Sequence, residues 1–278
     1  MQTIKRCKPL LGTYVSVHIR SDENSATLME LTRDVFSEIE EIEKSMSFHD
    51  PESELSYLNQ HAADHPCELS EDMATVLTTA LTLSRLSRGR YDISVAPQLI
   101  KNGHLPEIPH AALATACWRD IELSENVIRF ARPLIIDLGG IAKGYAVDRA
   151  FLAVCEQVEE VVINAGGDLR MKQWRGEQLE IKTPGCGEGG GLKVAMQETA
   201  VATTAAYYME AGTSNIIDPA TRRPLVDGRS VSVFAPSCCL ADALTKLVLL
   251  ADNAAEILGS MGASALFVEQ DGSLKHLA

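Results

Sequence analysis

The sequence lacks any apolar run approaching the roughly 18 residues that a membrane-crossing helix needs, and its first residues carry no continuous apolar stretch of the kind a secretion signal requires. A membrane protein is therefore not expected, and a cytoplasmic one is. Positive charge is also scarce. Lys and Arg number 25 against 38 Asp and Glu, a net charge of −13, and Lys5, Arg6 and Lys8 are too few to offset it. Such a balance argues against a nucleic-acid backbone as the main partner. The seven cysteines (Cys7, Cys67, Cys117, Cys155, Cys186, Cys238, Cys239) are odd in number and form no C-x-x-C pair. Neither a disulfide framework nor a zinc site is suggested, and most of them read as small buried hydrophobes. Internal repeats and a linker that would cut the chain are missing as well.

What is present is a core. With 278 residues and 46% hydrophobic content, the chain can bury a large interior in one extended domain or two lobes. We read residues 1–278 as a single domain. Val15, Val17 and Ile19 alternate with polar neighbours and predict a half-buried strand. Leu28, Leu31, Val35, Ile39, Ile42 and Met46 recur at steps of three and four and predict a helix, with Glu38, Glu40, Glu41 and Glu43 on its solvated face. A second helix is predicted over 71–87, with Ser70 as N-cap and Gly89 as a stop. Further strands are expected at 161–165, around Val231 and Val233, and at 265–268, and a late helix at 240–250. The glycine-rich stretch 185–191 lacks the Lys-Ser or Lys-Thr of a phosphate loop and reads as a flexible hairpin loop. The order of elements is mixed rather than strictly βαβ, which predicts an α+β fold with largely antiparallel sheets and packed helices.

The most informative segment is Ile136-Asp137-Leu138-Gly139-Gly140-Ile141-Ala142-Lys143-Gly144-Tyr145-Ala146-Val147-Asp148. Leu134 and Ile135 before it read as a buried strand, and residues 142–155 after it as a helix with Ala146, Ala150 and Ala153 at helical spacing. Glycines let the backbone approach a ligand, and a helix N-terminus offers free N–H groups that favour an anion. Asp137 and Lys143 add one charge of each sign. The same string also fits an ordinary strand-to-helix turn with an exposed Lys. A second close-approach turn, Gly166-Gly167-Asp168, ends the strand at 161–165, and the two glycine turns suggest one shared pocket.

Taken together, several widely spaced segments resemble the ApbE family of FAD:protein FMN transferases, in that family's order over roughly residues 9–250. They are Leu11-Gly12-Thr13, Met46-Ser47 through Asp50-Pro51-Glu52-Ser53-Glu54-Leu55 with Asn59, and Tyr91-Asp92 with Val95 and Pro97. The stretch from Asp137 to Asp148 is the strongest. It is followed by Asn164-Ala165-Gly166-Gly167-Asp168, Val201-Ala202-Thr203, Ile216-Ile217-Asp218-Pro219, and Ser232-Val233 leading to Ala241-Asp242-Ala243-Leu244. The resemblance implies the family's T-fold-like α+β architecture and its reaction, in which the FAD pyrophosphate is broken with help from Mg²⁺. FMN passes to a Thr or Ser hydroxyl of an acceptor flavoprotein, and AMP is released. It further implies FAD contacts at Leu11, His49, Tyr91, Asp92, Asp137, Lys143, Asn215 and Ile216, and a metal held by the Gly140 carbonyl, Asp242 and Thr245. Asp242, Lys246 and His49 are the residues it places at the reaction itself.

The chain departs from the family pattern where the chemistry should happen. Four positions after Asp242, where the family has Thr, stands Lys246, with Thr245 one step earlier. Lys246 can put its ammonium where a cation would sit, or form an ordinary i,i+4 pair with Asp242. Three positions before Asp242, where some members have a carboxylate, stands Cys239, a poor ligand for Mg²⁺. A frequent Tyr is His49, the usual His is Asn215, and the usual Thr-Ser-Gly is Thr203-Thr204-Ala205. Two other readings therefore stand beside the transferase. One is a non-catalytic FAD-binding protein with Lys246 in place of the metal, and the other is a Mg²⁺-dependent FAD pyrophosphatase.

Overall fold

The structure, a computed structural model, describes residues 1–109, 111–173, 178–181, 192–195, 200–205, 214–269 and 271–278. The chain begins with strands β1 (Gln2–Leu10) and β2 (Thr13–Ser21), helices α1 (Ser25–Met46) and α2 (Glu54–His61), strand β3 (Cys67–Glu68) and helix α3 (Glu71–Leu86). Helix α4 (Ala96–Lys101), strands β4 (Ile121–Ser124) and β5 (Val127–Phe130), and helix α5 (Ala142–Val154) follow. Next come strands β6 (Glu160–Ala165), β7 (Asp168–Lys172), β8 (Gln178–Ile181), β9 (Leu192–Ala195) and β10 (Ala200–Ala205). The last part holds β11 (Ile217–Asp218), β12 (Arg223–Pro224), β13 (Ser230–Ala235), α6 (Cys238–Leu250), α7 (Ala254–Ser260), β14 (Ser264–Val268) and β15 (Leu274–Leu277). The α+β class expected from the sequence is observed.

Eight strands form one sheet in the order β1-β2-β6-β7-β10-β13-β14-β15, with every neighbouring pair antiparallel. Helices α1, α5 and α6 pack together over one face of it. The period-2 pattern read in β2 holds: Val15, Val17 and Ile19 are completely buried under the helices. The apolar stripe of α1 faces the core as its spacing requires, and Asn24 caps it by accepting from the Ala26 and Thr27 amides. Ser70 caps α3, its Oγ accepting from the Met73 amide.

Strand β7 shows how the helix-facing side of the sheet is made. Its apolar residues Leu169 and Met171 join Val201 in a small cluster on the far face. Asp168, Arg170 and Lys172 alternate with them and meet α5 or the turn after it. Arg170 reaches Asp148 at 2.6 Å and Lys172 donates to the Cys155 and Val158 carbonyls. The bend before β7 has φ of +63° at Gly166 and +109° at Gly167, so both positions favour glycine and the two-residue hairpin turns tightly.

One expectation is corrected. Leu134 and Ile135 are buried, but residues 133–138 form no strand. The side chain of Asn59 stands in for a strand partner. Its Nδ2 donates to the Ile136 carbonyl at 2.9 Å, and its Oδ1 accepts from the Ile136 amide at 2.8 Å. The Asp137 amide donates to the Ile93 carbonyl. An apolar run records burial, not ladder pairing. The glycine stretch 185–191 lies outside the described residues, although β8 and β9 on either side of it pair antiparallel.

Candidate active site

A cleft of about 580 Å³ opens along one side of the molecule, within the usual range of roughly 300–1,000 Å³ for small-molecule sites. Every residue for which an FAD contact was expected lies on it: Leu11, His49, Tyr91, Asp92, Asp137, Lys143, Asn215 and Ile216. Gly140 and Lys246 border it too. Asp242 and Thr245 do not; both are completely buried behind the wall that Lys246 forms.

The floor is set by the segment after Asn59's amide clamp. Asp137 closes a tight turn by accepting from the Gly139 amide at 3.1 Å. Burial raises its carboxyl above the ordinary range, partly offset by the Gly139 N–H, His49 and Lys246. The chain then enters α5, and here helix packing places the charges. A Cβ on Gly144 would lie 2.2 Å from the Cys238 carbonyl oxygen, so only glycine lets α5 and α6 approach this closely. The Gly144 amide uses that approach to donate to Asp242 Oδ2 at 3.2 Å. The helix start that the sequence reads as an anion site is thus spent partly on the protein's own carboxylate.

Two ammonium groups converge on that carboxylate. Lys143 on α5 is paired with Asp168 at the second glycine bend and lies 3.8 Å from Asp242 Oδ2. Lys246 on α6 is paired with Asp242 Oδ1 and also donates to the Asp242 main-chain carbonyl at 3.0 Å. Burial alone would raise the Asp242 carboxyl, but the two lysines outweigh it and hold the group ionised, below its ordinary value. Burial opposes the Lys143 charge as well, yet Asp242 and Asp168 keep its pKa above normal. Asp168 is pushed up to about 6 by burial and by the charge of Asp242, against the pull of Lys143. The second bend therefore reaches the cleft through the Asp168–Lys143 pair; Gly166 and Gly167 themselves do not line it.

Two of the three donors assigned to a metal, Asp242 and Thr245, are already engaged. Both Asp242 oxygens have partners, and the Thr245 hydroxyl donates to the Asp242 carbonyl at 2.7 Å and accepts from Thr204 Oγ1 at 2.9 Å. Among the described residues no three His, Cys, Asp or Glu side chains converge on a metal-sized point. A hard divalent cation needs oxygen ligands at about 2.1 Å and tolerates no ammonium in their place. In this arrangement the residues present do not fit Mg²⁺. Cys239 is no substitute ligand: it is buried, and burial with the nearby carboxylates pushes its thiol well up.

Sequence reasoning gives no role to Asp148, Arg90 or His104, and it does not give the contacts that hold Asp92, Leu11 and Tyr91, which it does place at the site. Asp148 caps α6 from α5, accepting from the Cys238 and Cys239 amides at 2.9 and 2.8 Å, and so fixes the helix one turn before Asp242. It shares a face of α5 with Gly144, four residues earlier, and it closes the Asp137–Asp148 string that matches the family, but neither signal gives its capping role. Arg90 lines the cleft, donating to the Leu250 carbonyl at the end of α6 and to Asp218 beside Ile216 and Ile217. Asp92 caps the short turn after it through Ser94, accepting from its amide and hydroxyl at 2.8 and 2.7 Å. Leu11 sits at φ +56°, held by a bond from its amide to Glu43. Tyr91 Oη and His104 Nε2 are buried at the cleft without a hydrogen-bond partner. Burial, with Asp242 and other nearby acids, keeps the Tyr91 phenol neutral.

Comparison with known proteins places this arrangement. The chain is 29% identical over 273 residues to a protein of Vibrio cholerae named FAD:protein FMN transferase, covering 88% of this chain and 80% of that protein. It is 28% identical over 277 residues to the FAD:protein FMN transferase of Chlamydia pneumoniae, covering 89% of this chain and 82% of that one. A solved structure, a single-site variant of the flavin transferase ApbE from Vibrio cholerae, superposes with a TM-score of 0.85 at 25% identity, over 99% of this chain and 97% of that one. The ApbE family pattern matches residues 11–267, and the chain belongs to the ApbE family.

Proposed function

We propose that the protein is an FAD:protein FMN transferase, moving FMN from FAD to a Thr or Ser hydroxyl of an acceptor flavoprotein and releasing AMP. The observation that carries this reading is the meeting of Asp137, the Gly139–Gly140 backbone, Lys143 and Lys246 on one cleft, in a chain whose relatives bear that name. A diphosphate carries concentrated negative charge, and the two ammonium groups neutralise it where glycines keep the backbone close. The unpartnered Tyr91 and His104 atoms would be satisfied by polar atoms of the bound flavin nucleotide.

In the proposed step, an acceptor hydroxyl oxygen attacks the FAD phosphorus on the riboflavin side. A new P–O bond forms as the P–O bond to the AMP phosphate breaks, and AMP leaves with the electron pair. The hydroxyl proton passes to His49, which lines the cleft. The lysines hold the phosphate oxygens through the change in charge. No step is routed through Mg²⁺, because the site does not fit it. A cytoplasmic setting belongs to the same proposal. It is supported by the six described cysteines, all free thiols, and no helix among the described residues is long and apolar enough to cross a membrane.

The test is incubation of the purified protein with FAD and a Thr-containing acceptor domain, following AMP by chromatography and acceptor mass by mass spectrometry. AMP with a flavinylated acceptor supports the transferase. AMP alone points to an FAD pyrophosphatase, and tight FAD without AMP to a binding protein.

A further inference from the structure

Lys246 sits against the one carboxylate that a metal would need. Its ammonium contacts Asp242 Oδ1 and, at 3.0 Å, the main-chain carbonyl of the same residue. The aliphatic stem runs along the glycine turn: a Cβ built on Gly140 would meet Lys246 Cε at 3.5 Å. The head is thus fixed between α6 and the Gly139–Gly140 backbone, at the cleft wall, with its side chain 21% exposed. Lys143 approaches the other Asp242 oxygen at 3.8 Å. Asp242 therefore meets a cation on each side, which a free carboxylate awaiting a metal would not. Thr245 offers no alternative, since its buried hydroxyl is already bonded to Thr204 and to the Asp242 carbonyl.

We infer that Lys246 is a built-in cation that replaces the divalent metal at this site, so that the protein engages the FAD diphosphate without Mg²⁺. The ammonium is carried by the chain and cannot be removed by chelation. It supplies one positive charge and N–H donors aimed along a wall of the cleft, where a metal would supply two charges and open coordination positions. Lys143 makes up the second charge. This inference rests on the FAD reading of the cleft, and the experiment separates the two.

FAD affinity is measured by flavin fluorescence on the full chain, in EDTA and in millimolar Mg²⁺, together with a Mg²⁺ titration by calorimetry. The expected result is an FAD affinity that changes less than twofold between EDTA and Mg²⁺, with no Mg²⁺ binding heat. Lys246→Met should weaken FAD at least tenfold with no rescue by Mg²⁺, because charge is lost and no ligand gained. Lys246→Thr, which restores an oxygen ligand beside Asp242, should weaken FAD in EDTA and recover it in Mg²⁺. A wild-type chain that binds Mg²⁺ and loses FAD in EDTA would overturn the inference while leaving the FAD site intact. An unaltered FAD affinity in Lys246→Met would overturn it as well. Failure to bind FAD in any condition would instead remove the functional reading beneath it.

Discussion

The Gly144 amide donates to Asp242 Oδ2 at 3.2 Å, a bond across 98 residues of sequence that ties the start of α5 to the first turns of α6. The two lysines of the cleft, Lys143 and Lys246, are arranged around it. Gly144 makes the approach possible, Asp148 one turn later caps α6, and Arg170 on the sheet donates to Asp148. The position of Asp242, and through it of Lys143 and Lys246, is inherited from helix packing rather than from any loop.

Gly144→Ala should therefore be costly. Its Cβ would fall 2.2 Å from a backbone oxygen, which cannot swing away as a side chain would. Forcing α5 and α6 apart is expected to destabilise the fold by at least about 1–3 kcal/mol, the usual range for overpacking. Urea unfolding checks this, and an unchanged midpoint would show that the helices are free to separate.

Asn59→Ala removes the amide that pairs both backbone groups of Ile136. Two buried backbone groups would lose their partners at roughly 1–3 kcal/mol each, so a loss on the order of 2–6 kcal/mol is expected. Because the clamp is one residue from Asp137, FAD affinity should fall as well. Loss of stability with affinity intact would show that the clamp supports the core but not the cleft.

The Asp168 carboxyl, pushed up to about 6, gives the site a pH dependence. Above that value Asp168 is charged and offsets Lys143; below it the group is neutral and the site gains one net positive charge. FAD should bind more tightly as the pH falls through about 6, and Asp168→Asn should flatten that part of the profile. Stability follows the same sign. A carboxyl raised in the folded state favours folding at low pH, and that advantage fades as pH rises from about 4 through about 6. An inflection that survives in Asp168→Asn would assign it to another group.

Lys143→Met leaves Asp168 and Asp242 short of their shared cation. FAD affinity should drop by tenfold or more, as expected for losing a charged hydrogen bond at a phosphate, and both carboxyls should titrate higher. Equal affinity in the variant would take Lys143 out of the ligand site.

Periodicity made the larger elements legible. The stripe of α1, the alternation in β2 and the Ser70 cap of α3 all follow from local spacing. The strand expected at Leu134 and Ile135 is absent because the backbone beside them, at Ile136, is paired by a side chain 77 residues away, and no local pattern records that. The same limit applies to the site. Asp137, the diglycine turn, Lys143 and Asp242 stand in recognisable strings. Arg90, Asp148 and Thr204 act only through contacts with distant elements, so their roles emerge with the fold. The position of Lys246 was legible as a departure from the family pattern, but its contact with Asp242 needed the structure.

The most direct test of the account compares equilibrium binding of FAD and riboflavin to the wild-type protein in the same buffer. If the cleft is organised around the diphosphate by Lys143 and Lys246, FAD should bind at least a hundredfold more tightly than riboflavin. Equal affinities, or no binding of either, would contradict it.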